Sequence, residues 1–206
     1  MPSAPGKLTL GKSRIEALSD GVFSITMTLL VLKLEVPEVM HHSSNEDMLQ
    51  QMLALWPQFA TYVITFLIAG GFWFLHHVSF HFVRQTDGVL LWINLIFLML
   101  VSLLPFSAGL MSHLLVHPVS QLFYFGNQLA IAAVLNAHWI YAKSRGLVET
   151  GEAGQTGRLT LRIGGAAAVF AACMATGVFL PMWSWVPMPV FLVGAMATEW
   201  RLNRNS

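Results

Sequence analysis

Leu18 to Leu34 reads LSDGVFSITMTLLVLKL, and what this stretch folds into decides the reading of the rest. Together with its flanks it is long and apolar enough to cross a bilayer as a helix, which takes about 20 mostly apolar residues. It also carries Ser19, Asp20, Ser24, Thr26 and Thr28. Hydrocarbon offers such groups no partner, so a helix that holds them at depth must face protein or water. Lys7, Lys12 and Arg14 precede the run as they would in a signal peptide. No small-x-small cleavage site follows, however, and the next residues are Lys33-Leu34-Glu35-Val36-Pro37.

Outward from this first helix, placed at about 14–36, five more stretches have the length and apolarity to span, at about 52–77, 88–112, 119–142, 159–181 and 183–200. The breaks between them have loop chemistry: Pro37 with His41 to Asn45, Thr86-Asp87-Gly88, His117-Pro118, a Gly-rich run from Gly146 to Gly157, and Pro181 to Pro189. Composition agrees. Of 206 residues 55% are hydrophobic and 10% charged, against about 45–50% and about 25% in soluble domains, and mean hydropathy is +0.63. The expected fold is all-α: one polytopic membrane domain over 1–206 with six transmembrane helices.

Charge excludes other classes and orients the bundle. A net charge of +1 gives no basic field for nucleic acid. The single cysteine, Cys173, permits no disulfide framework or Cys-based zinc site within one chain and reads as a small buried apolar residue. With both termini in the cytoplasm, ten of the 11 Lys and Arg lie inside and only Lys33 outside, which satisfies the positive-inside rule. The first outer loop holds Glu35, Glu38, Glu46 and Asp47, either a solvated loop or an acidic entrance that concentrates cations.

Two patterns on the first helix carry chemistry. At its cytoplasmic turns, Glu16 and Asp20 stand four apart on one face, an unfavourable like-charge pair unless a cation or donor bridges them. The second helix returns to that depth with Phe72-Trp73-Phe74-Leu75-His76-His77, and Trp73 and the histidines are suitable donors. A network joining Arg14, Ser19 and Asp20 to Trp73, His76 or His77 is expected; separate snorkelling of each group to the interface is the alternative. Further out, Ile25, Leu29 and Leu32 share one face with Thr28 beside them. Such a stripe is ordinary core packing, or, repeated around an axis by several subunits, a hydrophobic constriction that gates by excluding water.

Arg14-Ile15-Glu16-Ala17-Leu18-Ser19-Asp20 resembles the (R/K)xxx(F/L)SD signature of the potassium-channel family typified by the lysosomal transmembrane protein 175, and Asp20 to Ile25 continues it as bacterial members do. The similarity is to the six-helix prokaryotic branch, strong over about 20 residues and weaker, through helix count and the Trp73-x-x-His76-His77 end, over the whole chain. The resemblance implies a homotetramer in the bacterial cell membrane whose first helices line one pore. It implies Ile25 as the principal ring of the constriction, with Leu29 and Leu32, and Thr28 as a hydroxyl layer. Potassium would pass near Ile25 and Thr28, with no cofactor and no catalytic residue, and Arg14, Ser19, Asp20, Trp73, His76 and His77 would form an assembly network. The chain has no Thr-Val-Gly-Tyr-Gly filter, so a carbonyl cage is not expected.

The residues alone also admit rival classes. A proton-coupled secondary transporter would use Glu16, Asp20 and His76 or His77, but no internal repeat accompanies them. A haem protein would draw on His76, His77, His81 and His138, yet adjacent histidines point about 100° apart on a helix and cannot share one iron. His113 and His117 lack a third metal ligand, and Gly-x-Ser-x-Gly is absent, which leaves no hydrolase reading. Asn94, Ser102, Asn127, Gln128, Asn136 and His138 are read as scaffold polar groups of the later helices.

Overall fold

The computed structural model describes residues 11–35, 44–148 and 153–194, and among these every regular element is helical. The first helix, α1 (Lys12–Leu29), relaxes into a 3-10 turn over Val31–Lys33. It therefore ends before the boundary near 36 expected from apolarity. Leu34 already has extended backbone (φ −82°, ψ 112°) and ends the turn. Next come α2 (Asn45–Ala54) and α3 (Trp56–Phe82). Helix starts earlier than expected here because Ser44 and Asp47 form a reciprocal capping box: Ser44 Oγ accepts the Asp47 amide (3.2 Å) and the Asp47 carboxylate accepts the Ser44 amide (3.1 Å).

Prolines divide what apolarity alone reads as continuous. Pro57 has no N–H, so α2 stops at Leu55 and α3 restarts with Gln58 and Phe59 donating to the Leu55 carbonyl (2.9 and 3.1 Å). Pro105 likewise splits the expected 88–112 helix into α4 (Gly88–Ser102) and α5 (Leu104–His113) at Leu103. Then follow α6 (Pro118–Ser144), opened by Pro118 with the His117 ring accepting the Val119 amide at 3.3 Å, and α7 (Ala153–Phe179). A 3-10 turn at Pro181–Trp183 leads to a helical run over 188–194, later than the start expected at 183; residues 195–200 of that expected helix lie outside the described residues.

Among the described residues four stretches can cross a membrane by length and composition: Lys12–Lys33, Asn45–Phe82, Gly88–His113 and Gln155–Phe179. Helix α6 is not among them although its 27 residues extend about 40 Å. It is the central helix, packed on α4, α5 and α7. Gln121, Gln128 and His138 on it are buried against protein, so polarity that would be costly against lipid is tolerated.

The core is aromatic where helices meet. Phe72 of α3, Phe170 of α7 and Phe191 of the 188–194 run form a triad with centroids 4.9 to 5.4 Å apart. Between α6 and α7, Trp139 Nε1 donates to Thr160 Oγ1 (2.8 Å) and Asn136 Nδ2 to the Ile163 carbonyl (2.8 Å). Gln121 Nε2 reaches the carbonyls of Leu115 (2.7 Å) and Pro181 (3.0 Å), and the facing position is Gly177, where a Cβ would stand 2.6 Å from Gln121 Oε1. At the end of α6, Gly146 takes φ +65°, a conformation side chains resist. This turns Leu147 back to the Ala142 carbonyl (3.0 Å) and lets its own carbonyl accept the Arg84 amide (2.8 Å), tying the ends of α3 and α6.

Candidate functional site

Helix α1 divides cleanly into two faces. Ile15, Ser19, Phe23, Thr26 and Leu30 recur at spacings of four and three and are buried against α3 and α4. Phe23 anchors this face, 5.8 Å from the Phe97 ring and 6.4 Å from the His76 ring. Among the described residues the opposite face has no cover: Ile25 is 61% exposed, Leu29 42% and Leu32 73%. Arg14, Leu18, Gly21, Ser24 and Thr28 are exposed beside them. Thr28 Oγ1 donates to the Ile25 carbonyl (2.8 Å), which leaves the oxygen lone pairs facing outward on the apolar stripe.

At the other end of α1 the polar residues separate into two sets. In the buried one, Ser19 Oγ donates to the Ile15 carbonyl (2.9 Å) and faces the amide of Asn94 on α4 (Nδ2 to Oγ, 3.3 Å). Asn94 Oδ1 lies 2.8 Å from His76 Nε2. With the Asn94 NH₂ turned to Ser19 and its oxygen to His76, Nε2 must carry the proton and donate. His76 is further held by stacking on Phe97 (centroids 5.1 Å, 6° between planes). Ser19, His76 and Asn94 are thus a three-helix clasp between α1, α3 and α4.

The second set is exposed or half-buried. Trp73 Nε1 donates to Asp20 Oδ1 (2.7 Å), and His77 stacks on the Trp73 ring (centroids 5.6 Å, 24°) rather than reaching the carboxylate. Glu16 is 4.0 Å from Lys12, an i,i+4 pair, and Lys12 Nζ also approaches the His81 carbonyl (3.4 Å). The Arg14 side chain joins neither set and has no hydrogen bond or ion pair to another described residue. Sequence reasoning did not place Asn94 or Lys12 here. A lone amide in the run GVLLWINLIFLMLVS was the available signal for Asn94, because an amide at that depth requires partners.

The far end of α1 is held by side chains of α3 and α5. The Glu35 amide donates to Gln58 Oε1 (3.0 Å), and the Glu35 carboxylate stands 3.5 Å from His113 Nε2. Both partners of that pair are largely exposed, so it contributes little. Among the described residues no three His, Cys, Asp or Glu side chains group as metal ligands, and His117 serves as a helix cap.

Comparison with known proteins bears on the same segment. The family model described as the endosomal/lysosomal potassium channel TMEM175 matches residues 14–105, which run from Arg14 to the start of α5. A Chamaesiphon minutus protein named as a potassium channel is 39% identical over 147 residues, covering 69% of this chain and 70% of that one. The human protein named endosomal/lysosomal proton channel TMEM175 is 32% identical over 103 residues, covering 48% of this chain but only 20% of its own length. Among solved structures, that of a lysosomal potassium-selective channel TMEM175 homolog from Chamaesiphon minutus superposes with a TM-score of 0.77 at 30% identity, covering 92% of this chain and 97% of the other.

Proposed function

The chain belongs to the TMEM175 channel family, and from that membership and the two faces of α1 we propose that it is a potassium-permeable cation channel whose constriction is a hydrophobic ring instead of a carbonyl filter. It is an integral membrane protein, and its family and structural neighbours are ion channels, not enzymes. The observation that carries the finer reading is the uncovered face of α1. There Arg14, Ser24 and Thr28, poor company for lipid, alternate with Ile25, Leu29 and Leu32. Copies of α1 around an axis bury that face and bring the isoleucines together.

In this assembly, a homotetramer with cytoplasmic termini, Ile25 forms the narrowest ring, Leu29 and Leu32 extend it outward, and the Thr28 oxygens offer a polar layer beside it. A hydrated cation crossing the ring sheds water against side chains with nothing to replace it, so passage is decided by dehydration cost and by the adjacent hydroxyls. The Ser19, Asn94 and His76 clasp and the Asp20 to Trp73 bond hold α1 at the angle the ring needs. Arg14, without a partner among the described residues, is available to a neighbouring copy.

Potassium flux into proteoliposomes tests the reading, with empty liposomes as control and sodium or a proton gradient as separate driving ions. Uptake that follows the potassium gradient without counter-ion exchange is expected. Saturable uptake that requires a proton gradient would replace the channel with a carboxylate and histidine transporter built on Glu16, Asp20 and His76 or His77.

A further inference from the structure

Away from α1, a cleft of about 190 Å³ opens on the bundle's outer surface between α3, α7 and the 188–194 run. Its floor is Leu75 and Phe191, its rim includes Val190, and two positions that would close it are Gly165 and Gly194. A Cβ built at either glycine meets no atom within 4 Å, so the space exists because side chains are missing there. One cation lines it, Arg162, with Arg158 a turn earlier on α7.

We propose that this cleft holds one acyl chain of an anionic phospholipid, with the headgroup phosphate on Arg162. An apolar trough open at the surface of a membrane-embedded bundle does not stay empty, since bare walls forfeit dispersion contacts that a lipid tail restores. The charge at one end selects the head. Arg162 lies near the start of α7, at the end where Lys143, Arg145 and Arg158 also gather, the level at which basic sites between membrane helices meet lipid phosphates. Arg162 already interacts within the protein, and a guanidinium with five N–H donors can also receive a phosphate oxygen. A free inorganic phosphate would satisfy the arginine but leave the apolar floor bare. The inference rests on the membrane setting alone and is independent of what the protein conducts.

The test is native mass spectrometry of the full chain, delipidated in detergent and then titrated with phosphatidylglycerol, phosphatidylcholine or inorganic phosphate. Phosphatidylglycerol adducts that survive activation at least fivefold more than phosphatidylcholine adducts are expected. Gly165→Leu, which grows into open space, should lose the retained lipid of either head while the protein keeps its oligomeric state. Arg162→Gln should keep a lipid but lose the preference. Equal retention in both variants and the parent would overturn the proposal. So would loss of assembly in Gly165→Leu, which would give the cleft to a neighbouring copy, retention of phosphate without lipid, or lipid binding that appears only when residues 195–206 are removed, which would give it to the chain's own end.

Discussion

Asn94 shows at the scale of one residue how this protein fixes its first helix. Its amide serves Ser19 on one side and His76 on the other, both in the interior. Asn94→Leu has a similar volume but strips both partners. Side-chain hydrogen bonds inside membrane proteins average about 0.6 kcal/mol, yet leaving buried groups unpaired costs about 1–3 kcal/mol. The expected loss is therefore about 1–3 kcal/mol, read as a lowered melting temperature in detergent, whereas Ser102→Ala should stay within about 0.5 kcal/mol because the exposed Ser102 hydroxyl only bonds its own helix. An unchanged melting temperature in Asn94→Leu would remove the clasp from the account. This contact was half legible in the sequence. Ser19 and the histidines declare themselves as polar groups at matching depth, but which of two adjacent histidines turns inward depends on the phase of α3, and that phase is set by packing rather than by residue type.

At the scale of elements, prolines and small residues decide what apolarity blurs. A hydropathy run cannot register that Pro57 and Pro105 lack an N–H, so each bent rod reads as one straight helix until the local hydrogen bonds are drawn. The early start of α2 was written in Ser44-x-x-Asp47, a short signal beside a long polar loop. Close packing is less visible: nothing in the run around Gly177 announces that Gln121 fills the space where a side chain would go. Gly177→Val should cost about 1–3 kcal/mol through overpacking, while Gly157→Val, which meets nothing, should cost far less; similar melting temperatures for the two would contradict the contact. The turn into α4 gives a pH signature. Partial burial works against the Asp87 carboxylate, but the Leu90 amide (2.8 Å), the Tyr141 hydroxyl (2.7 Å) and nearby Arg145 outweigh it and hold Asp87 below the usual carboxylate value. A lowered folded value means this contribution is full above about pH 4, the unfolded value, and is lost as pH falls through the lower folded one. Melting temperature should thus drop on the acid side of pH 4 more steeply in the parent than in Asp87→Asn; identical acid limbs would show that the cap does not titrate.

Across the described residues, seven helices and the 188–194 run build a bundle around a polar helix, α6, and leave one face of α1 without a partner among them. The all-helical membrane fold was readable because 55% hydrophobic and 10% charged residues admit little else. The family was readable because Arg14 to Asp20 is a compact signature on one helix. Which face of α1 turns away from the bundle was implied by the resemblance but not by periodicity, since Ile25, Leu29 and Leu32 look like core residues until Phe23 and Ile15 are seen to be the core. In the proposed channel this outward face lines the conduction path, with Ile25 at its tightest ring. Single-channel recording of purified protein in planar bilayers, parent beside Ile25→Asn, tests it most directly. A polar amide wets the ring, so conductance should rise severalfold and the preference for potassium over sodium should weaken in the variant. Parent-like conductance and selectivity in a variant that still assembles would put the path elsewhere.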